Sequence, residues 1–135
     1  METKDRTARV HTAACPARRT LELLSDKWTP LVLYVLADGA HRFNELQRRC
    51  DGISRKMLTQ TLRGLQRDGL VHRTVYPAVP PHTEYNLTHL GESLMTPLAG
   101  LCAWGALHLP QIDAARRAAA GAESETDKRV LETVP

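Results

Sequence analysis

Residues 52–70 read GISRKMLTQTLRGLQRDGL, and the spacing inside this stretch decides the fold. At about 100° per residue, Leu58, Leu62 and Leu65 fall into one narrow stripe, which predicts a helix with its underside in a core. Ser54 is placed to cap the N-terminus and Gly69 to supply the left-handed residue just past the end, so the helix covers residues 54–68. Opposite the leucines lie Lys56, Gln60, Arg63 and Arg67, flanked by Arg55 and Thr59, and no acid appears before Asp68. A face decorated only for solubility intersperses Glu with Lys. A face of Arg, Gln, Lys and Thr instead matches the acceptor and donor edges that bases present in the major groove of a duplex.

Upstream, Pro16, Leu21 and Leu24 predict a short helix over residues 16–25. Asp26 can cap a second helix, apolar nearly all round from Trp28 to Ala37 and stopped by Asp38-Gly39. Phe43 and Leu46 predict a third, short and amphipathic, ended by a tight turn at Asp51-Gly52. Downstream, LVHRTVY (residues 70–76) and TEYNLT (residues 83–88) pair as a hairpin across a loop stiffened by Pro77, Pro80 and Pro81. Thr88 caps a last helix in which Leu90, Leu94, Leu98, Leu101 and Trp104 recur; Pro97 is expected to bend it and Pro110 to end or kink it. The helix is expected to reach about Ala120. The fold class is therefore mainly α with a small β-hairpin: a winged helix-turn-helix with a three-helix core, a wing and a long C-terminal helix. The expected organisation is a flexible N-terminal arm over residues 1–14, the domain over 15–120, and a mobile charged tail over 121–135.

Composition agrees. The chain has 135 residues, 42% hydrophobic and 24% charged, enough for one domain and neither disordered nor membrane-like. No apolar run can cross a bilayer and no secretory signal precedes the domain, which points to a cytoplasmic protein. Between His41 and Arg73 eight Lys/Arg face three acids, a net +5 within a total of +3, so the flanks sum to −2. A basic middle between acidic flanks suits a polyanion. Nothing suggests an enzyme: there is no GxSxG, no phosphate-cradling glycine loop, no HExxH and no paired carboxylates. No cofactor is implied, and six histidines and three cysteines without HxxxH, CxC or CxxC spacing argue against a metal site.

In a helix-turn-helix the N-terminal half of the second helix meets base edges, which selects Ser54, Arg55, Lys56, Thr59, Gln60 and Arg63. Arg42 and Arg73 are placed for phosphates, Arg67 for backbone or solvent, and His82 is the single cation near the wing tip. The aromatic side chains Trp28, Tyr34 and Trp104 read as core filling rather than as a ligand site.

The series CP, KWTPLVLYVL, RFNELQRRCDGISRKMLTQTLRGLQRDGLVHRTVY, VPPHTEYNLT and LGESLMTPLAGLCAW resembles, over residues 15–105, the HxlR family of MarR-like bacterial transcription regulators. The resemblance implies a homodimer on a pseudo-palindromic operator of double-stranded DNA, with the first and last helices forming the interface, and repression as the commoner outcome. The chain departs from the family pattern at Ser25-Asp26, where a Gly pair is common, and at His82-Thr83, where the wing commonly carries Arg-Val. Some members sense oxidants or electrophiles through an N-terminal cysteine, and Cys15 alone matches that position. There the helix N-terminus, with Arg18 and Arg19 one turn on, favours a thiolate. Cys50 and Cys102 read as structural. Two alternatives stay open: a winged helix used as a protein-interaction module, and a regulator switched by a small ligand rather than by redox chemistry.

Overall fold

The structure is a computed structural model and describes residues 15–132. The expected arm over residues 1–14 and the last three residues of the expected tail lie outside the described residues. The chain divides into two units, Met1–Leu98 and Ala99–Pro135.

The first unit opens with α1 (Pro16–Leu23) and α2 (Trp28–Leu36). Asp26 caps α2 as expected: its Oδ1 accepts the backbone N–H of Trp28 at 2.9 Å and of Thr29 at 2.8 Å, and its second oxygen accepts the Thr29 hydroxyl. Burial alone would raise the Asp26 carboxyl, but these hydrogen bonds hold it below the usual aspartate range. A depressed carboxylate stabilises the fold above its unfolded value and ceases to do so as pH falls through the folded one. Asp26→Ala should therefore cost about 0.5–2 kcal/mol at pH 7. Thermal melts should show the gap between variant and wild type closing below about pH 4; a gap constant with pH would show that the carboxylate charge is not what caps α2.

Strand β1 (His41–Arg42) leads into α3 (Phe43–Arg49), and the turn closes with the Ile53 amide on the Cys50 carbonyl at 3.1 Å and Gly52 at φ 86°. Helix α4 (Arg55–Arg67) follows, capped by the Ser54 hydroxyl, which accepts from Met57 N–H at 3.0 Å. At its far end the Gly69 amide bonds the Gln66 carbonyl at 3.1 Å and the Leu70 amide the Leu65 carbonyl at 2.9 Å, with Gly69 at φ 75°. This is a Schellman ending, and it turns the chain directly into the sheet.

Strands β2 (Val71–Tyr76) and β3 (His82–Leu87) pair antiparallel with Val71 opposite Leu87 and Tyr76 opposite His82. The expected two-stranded hairpin is in fact part of a three-stranded sheet, order β1-β3-β2, because His41 and Arg42 pair with Tyr85 and Glu84. Two residues carry no period that a sequence could reveal; only the distant β3 makes them a strand. Leu33, Leu36, Leu46, Leu58, Leu62 and Val32 form the centre of the core under α4 and the sheet.

Helix α5 runs His89–Glu132. Its start belongs to the first unit, where the Thr88 hydroxyl donates to the Gly69 carbonyl at 2.6 Å and the Thr88 amide to the Leu70 carbonyl at 3.1 Å. The expected end near Ala120 is corrected: the helix continues to Glu132, through Pro97, Pro110 and Gly121. One proline removes one i→i−4 bond and one glycine costs about 1 kcal/mol, and the Ala, Leu, Glu and Arg around them are strong helix formers. Tyr34 and Trp104, expected in the core, are exposed, and only Trp28 packs partly against it. Among the described residues no helix is long and apolar enough to cross a membrane.

Candidate nucleic-acid interface

Helix α4 buries Leu58, Thr61, Leu62 and Leu65 and turns Arg55, Lys56, Gln60, Arg63 and Arg67 to solvent. The leucine stripe thus does what its spacing required, and the polar row is left facing outward. Several members are tied down. The Arg55 guanidinium lies over the Phe43 ring, 4.8 Å from its centroid, so the two helices of the motif are clasped across the turn. Thr59 spends its hydroxyl proton on the Arg55 carbonyl at 2.8 Å and keeps only acceptor capacity. Ser54 is occupied as a cap.

The row is wider than one line. Gln60 lies at its edge and, with Met57 and Gly64, lines an open cleft of about 720 Å³ between α4 and α1, facing Arg19, Leu23 and Asp26. On the opposite flank Thr59 and Arg63 meet Arg73 of β2 around a smaller cleft of about 260 Å³, walled by Phe43, Tyr85 and Leu62. Gln66 joins them there, a residue that the sequence reading passed over because its neighbours come from the sheet.

Alternation along β3 sorts the remaining candidates. Tyr85, opposite Arg73, shares the face that meets α4, whereas Glu84 points the other way and lines a cleft with Thr74, Tyr76 and Asn86. Arg42, opposite Glu84 in β1, is exposed but lies on that second face, so the structure does not group it with Arg73. His82 is there too, stacked on Tyr76 at 4.8 Å and 3.8 Å from the Glu84 carboxylate. It closes the base of the loop; the tip is formed by residues 77–81, where Val79 is fully exposed. A cationic wing tip is absent.

Behind this face, Arg49 donates to His41 Nε2 at 2.7 Å and to Asp38 at 3.0 Å, and His41 Nδ1 donates to the Gly39 carbonyl at 2.7 Å. Arg49 is therefore a brace between α3 and β1, not a free cation. Cys15 sits at the N-cap of α1 but is buried, at 6% exposure. Cys50 is buried as well, and burial pushes its thiol up against the lowering influence of Arg49. Cys102, read as structural, is exposed.

A family model described as HxlR-like helix-turn-helix matches residues 23–113, two thirds of the chain and all of α2 to β3. The chain belongs to the HxlR-like helix-turn-helix family. The HTH-type transcriptional regulator YtfH of Escherichia coli (strain K12) is 45% identical over 102 residues, which cover 76% of this chain and 81% of that relative. The solved structure of the transcriptional regulator YtfH from Salmonella typhimurium, 45% identical, superposes with a TM-score of 0.69 over 78% of this chain and 95% of its own. The redox regulator HypR in its reduced form, 39% identical, gives 0.70 over 73% and 98%. This HxlR-like chain is thus a transcription regulator with a winged helix-turn-helix, its partner is DNA, and the role of its relatives is regulatory rather than enzymatic.

Proposed function

We propose that the protein binds a pseudo-palindromic operator as a homodimer and acts as a repressor, with α4 of each protomer in adjacent major grooves about 34–36 Å apart. The observation that carries this reading is the solvent face of α4: six cationic or amide side chains in the open, no carboxylate among them, and a buried leucine underside that fixes their direction. Arg55, Lys56, Gln60 and Arg63 reach base edges, with Ser54 and Thr59 at the rim, and Arg42, Arg73 and His82 are the outer contacts. A dimer is supported by apolar surface that one protomer leaves in water: Leu21 and Leu23 on α1, and Leu101, Trp104 and Leu107 on α5.

The test is a fluorescence anisotropy titration of duplexes from the region adjoining the protein's own gene, at two salt concentrations. Sequence preference with a slope of log K on log salt near −0.9 per phosphate contacted is expected. Arg63→Ala should cost about 1–3 kcal/mol and relax preference at one base position, while Arg42→Ala weakens all sequences alike. Equal, sequence-independent losses in both variants would overturn the assignment of Arg63 to a base.

Cys15 couples this binding to oxidants or electrophiles. The reading is supported by the matching N-terminal position and by the similarity to HypR, a redox regulator solved in reduced and oxidised forms. Cys15 is buried, so a reagent reaches its sulfur only after a local rearrangement. Diamide should lower operator affinity in wild type and in Cys102→Ser but not in Cys15→Ser; a response that follows Cys102 instead would remove Cys15 from the account.

A further inference from the structure

Among the described residues His41 is the one histidine that the fold buries, at 8% exposure. Both of its ring nitrogens are engaged, and their partners leave no choice of tautomer. A guanidinium can only donate, so Nε2, 2.7 Å from an Arg49 nitrogen, must accept. A carbonyl oxygen can only accept, so Nδ1, 2.7 Å from the Gly39 carbonyl, must carry the proton. The imidazole in this arrangement is neutral. Asp38 completes the row by accepting from the second Arg49 nitrogen at 3.0 Å. The row joins three pieces of chain: the turn after α2, strand β1 and the last residue of α3. Helix α3 is thus held at both ends, by Arg49 against β1 and by Phe43 under the Arg55 guanidinium of α4.

We propose that this row is a pH-sensitive brace on the helix-turn-helix: proton uptake at His41 Nε2 releases Arg49 and loosens the hold of α3 on the sheet. A proton on Nε2 turns that nitrogen from acceptor to donor and sets an imidazolium against a guanidinium, so the bond does not survive it. The surrounding groups do not offset the added charge. Asp38, the one carboxylate in the row, is engaged by Arg49. Tyr85, paired with His41 across β1 and β3, brings a phenol, and Arg73, opposite Tyr85 on β2, brings a second cation to the same side of the sheet. Arg42 and Glu84, the next pair along, lie on the other side. On α3, Glu45 and Arg48 are not among the partners of the ring. The brace is therefore whole at high pH and is lost as pH falls, the sign of a contact that only the neutral ring can make. With Arg49 released, the end of α3 and the tight turn at Asp51-Gly52 lose their tie to β1, and the cationic face of α4 is no longer held at one angle to the sheet. Only this last step rests on the operator-binding reading; the brace itself belongs to the free chain.

Two measurements on the full chain test it. Without DNA, ¹H–¹⁵N NMR is followed from about pH 8 to about pH 5.5. At the upper end the His41 ring is expected with its proton on Nδ1, and protonation of Nε2 should shift the Arg49 and Phe43 signals together with those of the ring. A ring that stays neutral to the lower end, or one that takes the proton while Arg49 and Phe43 stay where they were, overturns the brace. In parallel, duplex anisotropy compares wild type with His41→Gln, whose amide keeps one donor and one acceptor side and does not titrate. The other histidines gain charge in both proteins, so the ratio of the two affinities isolates His41. That ratio should be near one at the upper pH, and wild type should fall behind by about tenfold at the lower. A ratio that is the same at every pH overturns the proposal. If His41→Gln does not fold, Arg49→Gln takes its place: lacking the brace throughout, it should bind more weakly than wild type at the upper pH and converge with it at the lower, and a constant gap overturns the proposal equally. Coupled shifts in the free chain without duplex binding at any pH would sink the operator reading and leave the brace standing.

Discussion

Leu58→Ala will cost about 2–5 kcal/mol of stability and lower the melting temperature by more than about 10 °C. Leu58 has no exposed surface and packs at the centre of the core beneath α4. Removing three carbons there opens a cavity that the surrounding leucines can fill only by moving the helix they hold. Lys56, two residues away, is exposed and has no side-chain bond to lose, so Lys56→Ala should leave stability within about 0.5 kcal/mol while weakening duplex binding. The pair separates the two faces of one helix. Denaturant melts and anisotropy on both variants would show it, and a mild effect of Leu58→Ala would mean that the leucine stripe does not anchor the row.

Gly91→Ala is expected to be almost as damaging, about 3 kcal/mol. A methyl group at Gly91 would overlap the backbone carbonyl oxygen of Leu70 and press within 3.2 Å of Leu87 Cδ2. The obstacle is backbone, so no rotamer change relieves it; the first turn of α5 must retreat from the end of α4 and from the sheet. Gly64→Ala is the control, since nothing lies within 4 Å of a methyl there and alanine suits a helix interior better. It should stabilise by about 0.5–1 kcal/mol. If both variants melted alike, the close approach at Gly91 would be absent in solution.

The elements that could be read from residues are those whose signals are local. Ser54 and Gly69 mark the limits of α4 because a hydroxyl cap and a left-handed glycine act within four residues of themselves, and both are found in those roles. Asp26 is legible for the same reason. What escaped was non-local. Strand β1 exists only through its pairing with β3, where His41 meets Tyr85 and Arg42 meets Glu84 from far along the chain. The partition of the polar residues between two clefts depends on what stands beside α4, α1 on one flank and the sheet on the other, and a wheel drawn for an isolated helix contains neither. Gln66 therefore joins the cleft beside the sheet, and Gln60 stands at the edge of the row beside α1 rather than at its centre. The far end of α5 differs for another reason: Gly121 and the charges after it suggest a stop near Ala120, whereas their neighbours supply enough helix propensity to carry the helix on to Glu132. Tyr76 lies directly opposite His82 and stacks on its ring, a pairing across the hairpin that nothing local in the sequence discloses.

The clasp of Arg55 upon Phe43 has one more consequence. A long, freely rotating side chain must surrender rotamer entropy when it docks, up to about 2 kcal/mol for an arginine. Here much of that freedom is already lost when the chain folds, against a ring contributed by the neighbouring helix. The guanidinium meets whatever arrives already aimed, so its share of any encounter is decided by enthalpy and geometry rather than by a search.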